Sequence, residues 1–167
     1  GCIQDNQLLY EYGKEVARQC KEIGVQINFA PVADVDINPR NPVINTRSFG
    51  GDPKNVAQKV VAYSRGLEDG GVLSVAKHFP GHGDTEVDSH KALPVLNFDR
   101  ARLDSIELYP FKEVIHAGLG GIMAGHLEVP ELGKNPASLS AHVVDNLLCR
   151  ELGFRGLVFT DALEMKG

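Results

Sequence analysis

The chain has 167 residues, 43% of them hydrophobic, and a net charge of −5, which is an ordinary composition for a soluble domain with one core. The acidic balance, with no Lys/Arg cluster beside the aromatics, excludes a general nucleic-acid binder, and no apolar run approaches the roughly 18 residues of a membrane span. Cys2, Cys20 and Cys149 are odd in number, widely spaced and free of a Cys-x-x-Cys pattern, so they read as buried thiols rather than a disulfide framework or zinc knuckle.

In chain order, Leu8, Leu9, Tyr12, Val16, Cys20 and Ile23 recur at helical spacing, and Gly24 is placed to stop that helix. Residues 25–29 read as the first strand. Asp52-Pro53 supplies an N-cap and a first-turn proline for a helix carrying Val56, Val60, Val61 and Leu67. Residues 72–76 form the second strand. Leu103, Ile106, Phe111, Val114 and Ile115 mark a third helix, bent at Pro110, before a strand over 121–124. Ser140 caps a fourth helix through Val143, Val144, Leu147 and Leu148, and residues 157–160 form the last strand.

Helix and strand thus alternate four times, with about 36 to 50 residues between successive strand starts. Such alternation makes an α/β fold, a parallel sheet covered by helices, either open and doubly wound or closed as a (β/α)8 barrel of the TIM type. A chemistry-bearing residue follows every strand: Asp34 the first, His78 the second, His126 the third and Asp161 the fourth. Four neighbouring strands feeding one site suit a barrel better than the single crevice of an open sheet. A barrel needs about 250 residues, so residues 1–167 are expected to be a partial barrel of about four βα units from a longer chain.

Segment 77–90, Lys-His-Phe-Pro-Gly-His-Gly-Asp-Thr-Glu-Val-Asp-Ser-His, is the most informative stretch. Asp88, two residues before His90, can hold the imidazole's tautomer and raise its pKa, which makes a general acid/base near neutral pH; it also reads as a simple turn former. Adjacent Ser89 and His90 do not by themselves make a triad, which is defined by geometry. His78, His82, Asp84, Asp88 and His90 form a candidate metal set, since catalytic zinc takes three protein ligands and water, but their spacing matches no zinc signature. Gly81-His82-Gly83 lacks the Gly-Lys-Ser/Thr ending of a phosphate loop.

The remaining candidates each have two readings. Asp161 is either a carboxylate presented at a strand's end or, with Glu164, a capping box for the next helix. Arg47 could fork-bond hydroxyls or a carboxylate, although solvated arginines are commoner. Lys77 at a strand end is a costly inward cation unless a ligand or acid pairs it. Asp34 and Asp36 are expected to include one turn former, and a lone histidine such as His126 is more often a satisfied core residue than a ligand.

Together these motifs resemble glycoside hydrolase family 3, in its β-N-acetylglucosaminidase branch. The resemblance runs through Asn28-Phe29-Ala30-Pro31-Val32 with Asp34-Val35, Arg47-Ser48-Phe49-Gly50 with Asp52-Pro53, and Lys77 onward to Thr85 and then Asp88-Ser89-His90. It continues through Met123 with His126, and Phe159-Thr160-Asp161-Ala162 with Met165. It covers nearly the whole chain from residue 25, and its specific part is 77–90.

The resemblance implies a (β/α)8 barrel that releases terminal β-linked N-acetylglucosamine with retention of configuration. By position it makes Asp161 the nucleophile and His90, paired with Asp88, the acid/base. Arg47, Lys77 and His78 fall to sugar binding, with His126 on the substrate side. It implies a carbohydrate as the partner and neither a metal nor a cofactor; the family's cell-wall recycling members point to the cytoplasm, with an exported or periplasmic location as the alternative. An acidic Asp-Gln-Glu-Gly-Gly-type segment of the family has no counterpart here.

Two other readings stand beside this one: a metal-dependent hydrolase using the His/Asp-rich loop, and a non-catalytic sugar-binding segment. Two expectations follow from the family reading. The loop glycines would let His90 swing in when sugar binds, so Gly83→Pro would lower turnover more than it harms folding. A histidine acid/base, unlike an anionic glutamate, would not repel phosphate, so phosphate could replace water as the acceptor.

Overall fold

The Asp5 carboxylate accepts the N–H groups of Gln7 at 2.8 Å and Leu8 at 3.4 Å, and so starts helix α1 (Asn6–Glu22) by satisfying donors of its first turn. The computed structural model describes residues 1–88, 91–162 and 164–165. Gly24, at φ 79°, takes the left-handed conformation that follows α1. Asp52 caps helix α2 (Pro53–Asp69) through the Asn55 N–H at 2.7 Å, with Pro53 in the first turn.

The stretch expected to be one bent helix is two: α3 (Arg100–Ser105), capped by Asp99, and α4 (Tyr109–His116). Pro110 bends nothing. It sits in the first turn of α4, where a missing N–H leaves no bond unmade. The Ser140 hydroxyl accepts the Val143 N–H at 3.3 Å at the head of the final helix, His142–Glu151, which is wound with π-type bonds.

All four strands, β1 (Ile27–Asn28), β2 (Leu73–Phe79), β3 (Gly121–Ala124) and β4 (Leu157–Thr160), pair in parallel in the order 1-2-3-4. A doubly wound sheet would reverse its strand order at a switch point; this one does not. The sheet also curls. Flat, its edge strands would lie about 14 Å apart, yet the rings of Phe29, just past β1, and Phe159 on β4 meet edge to face with centroids 5.3 Å apart. The sheet is an arc of a parallel barrel.

The ladder differs from the apolar pattern at both ends of its first pair. β1 is shorter than expected, at two residues, although Gln26 O, Ala30 O and Pro31 O also accept the N–H groups of Leu73, Val75 and Lys77. β2 is longer, so Lys77 and His78 lie within the strand. Lys77 pairs with Met123 and Phe79 with Ala124, which leaves His78 as the extra residue of a bulge.

Alternation sorts the two faces of the sheet. Ala76, Phe79, Ile122 and Val158 meet Val56, Val60, Phe111, Val114 and Leu148 in the core under the helices. On the concave face, Lys77, Met123 and Phe159 form one row in register.

Two expectations change. α1 rests on α2 through Leu9, Gly13 and Ala17, while Leu8 and Tyr12 are 56% and 52% exposed. A Cβ on Gly13 would lie 2.5 Å from the Tyr63 carbonyl oxygen, so small residues seat one helix on the other and turn the larger ones outward. The thiols are free but not buried: Cys2 is exposed, and Cys20 and Cys149 are half-buried. Among the described residues, no helix is long and apolar enough to cross a membrane.

Candidate active site

Just past β1, and bonded to the carboxyl end of β2, lies Asp34, a fully buried carboxylate six residues beyond the first strand. Its Oδ1 accepts the backbone N–H of His82 at 2.7 Å and of His78 at 3.1 Å. Its Oδ2 lies 2.7 Å from Nδ1 of the His78 ring. The β2 bulge makes this possible, because it frees the His78 N–H from the ladder and turns it toward β1. Asp34 is therefore no turn former; it ties β1 to β2 and to the loop beyond.

That loop is held from both sides. Asn41 donates to the carbonyls of His82 at 2.8 Å and Gly83 at 3.1 Å, while its own oxygen accepts the N–H groups of Val43 and Ile44. Thr85 bonds His82 Nδ1 at 2.7 Å. On the outer side, Arg102 reaches Asp84 at 2.8 Å and the buried Glu107 at 3.1 Å, with its guanidinium 4.2 Å over the Phe98 ring.

The loop glycines allow close contact with neighbouring segments. A Cβ on Gly83 would lie 1.9 Å from the Val35 carbonyl oxygen, and one on Gly81 would lie 2.7 Å from Cβ of Glu107. Gly83→Pro would thus also damage the packing of the loop itself, a cost to folding that stands beside the expected loss of turnover.

Lys77 faces the concave side. Burial, then the Arg47 charge, pulls its pKa below the usual lysine value, against the opposite pull of Asp161 and Asp34. These four charges thus share one electrostatic neighbourhood. Arg47, in a single exposed turn (Asn45–Arg47), donates to the Val43 carbonyl at 3.2 Å. With Lys77 it provides the cations of a cavity of about 370 Å³ whose walls include Phe29, Pro31, Phe49 and Tyr63.

Asp161 continues the β3–β4 ladder, its N–H donating to Ala124 O at 2.9 Å, and its carboxylate accepts the Ala162 N–H at 2.9 Å. It is half-buried at the carboxyl end of β4. His126, just past β3, is buried with Nδ1 2.9 Å from the Ser138 hydroxyl. His82 is buried and its pKa lowered by that burial, against the Asp34 charge; its Nε2 has no partner among the described residues.

Asp88 accepts the N–H groups of Lys91 and Ala92 on its carbonyl, and its carboxylate lies 3.6 Å from Lys91 Nζ. His90 lies outside the described residues. Of the candidate metal set, the described His78 turns to Asp34, His82 to Thr85 and Asp84 to Arg102. Among the described residues, no group of three or more His, Cys, Asp or Glu is placed to hold a metal ion.

Sequence reasoning missed the Asp34 hub, Asn41 and the Arg102–Glu107 pair. Asn41 carried a signal: an asparagine between prolines in a loop is a ready Asx turn. Arg102 and Glu107 carried none, since their partners are distant in sequence or hidden by burial.

A parallel barrel arc with its polar residues gathered at the strand carboxyl ends defines a barrel enzyme architecture. The chain matches the glycosyl hydrolase family 3 N terminal domain over residues 1–167, and it belongs to that family. It is 42% identical over 165 residues to beta-hexosaminidase A of Pseudoalteromonas piscicida, covering 91% of this chain and 28% of the relative. The structure of a family 3 β-N-acetylglucosaminidase from Paenibacillus sp. str. FPU-7 matches with a TM-score of 0.94 and 45% identity, over 96% of this chain and 31% of that one. NagZ from Neisseria gonorrhoeae, in complex with N-trifluoroacetyl-D-glucosamine, matches with a TM-score of 0.89 and 35% identity, over 96% of this chain and 47% of that one. The chain spans less than half the length of each.

Proposed function

We propose that the chain is the nucleophile-bearing part of a retaining glycosidase that releases terminal β-linked N-acetylglucosamine. The observation that carries this reading is the placement of Asp161: a half-buried carboxylate on the strand-end rim, in the field of Lys77 and His82. The names of the similar proteins, beta-hexosaminidase and β-N-acetylglucosaminidase, support the substrate class.

In this reading Asp161 attacks the anomeric carbon and forms a glycosyl–enzyme ester. His90, with Asp88, protonates the departing glycosidic oxygen and then, as base, takes a proton from the water that hydrolyses the ester. Arg47, Lys77 and His78 contact sugar hydroxyls, and His126 closes the substrate side behind β3. Residues 1–167 are then one portion of the family's catalytic barrel.

The test is hydrolysis of 4-nitrophenyl N-acetyl-β-D-glucosaminide by the whole protein that carries this chain, beside Asp161→Gly, with and without chelator. Turnover that resists chelator and is abolished by Asp161→Gly is the expected result. Turnover indifferent to Asp161 would overturn the assignment.

A further inference from the structure

Asp34 joins three segments that are far apart in the chain. Its backbone carbonyl accepts the Ser48 hydroxyl at 2.7 Å, next to Arg47. Its carboxylate takes the N–H groups of His78 and His82 and faces the His78 ring. An ionised carboxylate can only accept, so the proton of that ring contact sits on Nδ1 of His78. In the neutral ring Nε2 is then a lone pair. No other described side chain hydrogen-bonds the His78 ring, so this one contact sets its tautomer.

The geometry points to Asp34 as a positioning residue: it holds His78 in the tautomer whose Nε2 accepts a hydrogen bond from a sugar hydroxyl, and it sets the Arg47 segment and the base of the 81–86 loop on the same frame. This rests on the glycosidase reading above. It commits the site to a hydroxyl donor opposite His78, where a protonated Nε2 would demand an acceptor instead.

Asparagine at position 34 separates the tautomer from the frame. The backbone N–H groups of His78 and His82 both point at Oδ1, at 3.1 and 2.7 Å, so the amide oxygen takes that place. The amide NH₂ is then left facing His78 Nδ1. Nδ1 must accept, and the proton moves to Nε2.

The experiment is nitrogen-15 NMR of the histidine side chains at pH 8 in the whole protein, with His78→Asn to identify the signals and N-acetylglucosamine as the probe. The wild type is expected to carry its His78 proton on Nδ1, and the Nε2 signal should move as sugar is added. A proton found on Nε2 overturns the proposal. So does an Nε2 signal that stays still while other signals report saturable sugar binding.

Absence of sugar binding in every signal overturns the sugar-site reading and this inference with it, whereas a wrong tautomer alone leaves that reading standing. In Asp34→Asn the tautomer should switch, and sugar affinity should fall by about 10-fold or more, as when an orienting partner is lost. Affinity kept despite the switch would overturn the role. If that variant does not fold, the wild-type spectra decide.

Discussion

Two buried carboxylates flank the loop after β2, and they are held in opposite ways. Asp34, on the inner side, meets two peptide N–H groups and an imidazole, with no arginine or lysine among the described residues in hydrogen-bond contact. Glu107, on the outer side, has a guanidinium at 3.1 Å, yet its Oε2 is buried without a partner among the described residues. Burial pushes the Glu107 pKa up in spite of Arg102. The difference teaches that a buried carboxylate is held by well-aimed donors more than by a nearby charge, because desolvation must be offset at each oxygen.

The largest effect should come from removing the inner carboxylate. Asp34→Ala leaves the His78 N–H, the His82 N–H and the His78 ring nitrogen without their acceptor. At about 1 to 3 kcal/mol for each stranded group, a loss of about 4 kcal/mol is expected in urea unfolding. Glu107→Gln keeps the shape and removes a poorly satisfied charge, so its cost should stay within about 1 kcal/mol. Equal losses would break the contrast.

The glycines that lean on each side sharpen it. Gly83 presses on the Val35 backbone beside the pinned Asp34, where an added Cβ would lie 1.9 Å from a carbonyl oxygen. Gly83→Ala should lose about 3 kcal/mol, at the upper end of overpacking effects. Gly81→Ala meets the Glu107 side chain at 2.7 Å and the Glu107 Cα at 3.3 Å, and its φ of 143° also disfavours a side chain, so about 2 kcal/mol is expected. The reverse order in melting temperature would mean that the outer side is the more rigid.

Acid should act on the two sides with opposite sign. The folded pKa of His82 is lowered by burial, so the unfolded chain binds that proton first. Stability is full above the ordinary value near 6.5 and is lost as pH falls below it toward the folded value. The folded pKa of Glu107 is raised, so the folded chain binds that proton first, and stability is gained as pH falls through the raised value toward the ordinary one near 4.3. Melting temperature against pH should therefore fall less steeply on acidification in His82→Asn, and more steeply in Glu107→Gln. Parallel curves for the two variants would remove the distinction.

Much of this frame was legible in the sequence, for reasons that stop at a definite point. The helix starts at Asp52 and Ser140 and the stop at Gly24 are local chemistry, fixed within a few residues, as are the apolar runs of the last three strands. The barrel arc followed from the spacing of strands and from a polar residue after each. The His78 bulge did not follow, because it depends on the register between β2 and β3, and no local pattern encodes that. The roles of Asp34 and Glu107 were hidden for the same reason: each is defined by partners brought close only when the sheet curls. Asp161 and Lys77 were named from their positions at strand ends, and the fold places both in one field; the role expected of His90 lies beyond the described residues.

The smallest expected effect tests whether charge alone can hold the loop. Arg40 reaches Glu86 from the inner side, but both side chains are largely in water, at 76% and 52% exposure. The pair gains little Coulomb energy there and must order two long side chains, so Arg40→Met should change stability by no more than about 0.5 kcal/mol. Arg102 reaches Asp84 from the outer side while half-buried, shared with Glu107 and stacked on Phe98. Arg102→Met should lose about 1 kcal/mol or more, because the ring contact goes and Asp84 and the buried Glu107 both lose their cation. Two equal, small losses would mean that the polar bonds of Asp34 and Asn41 hold the loop by themselves. A large loss at Arg40 would show that an exposed charge can do what those buried donors do, and the contrast between the two sides would then fail where it is easiest to measure.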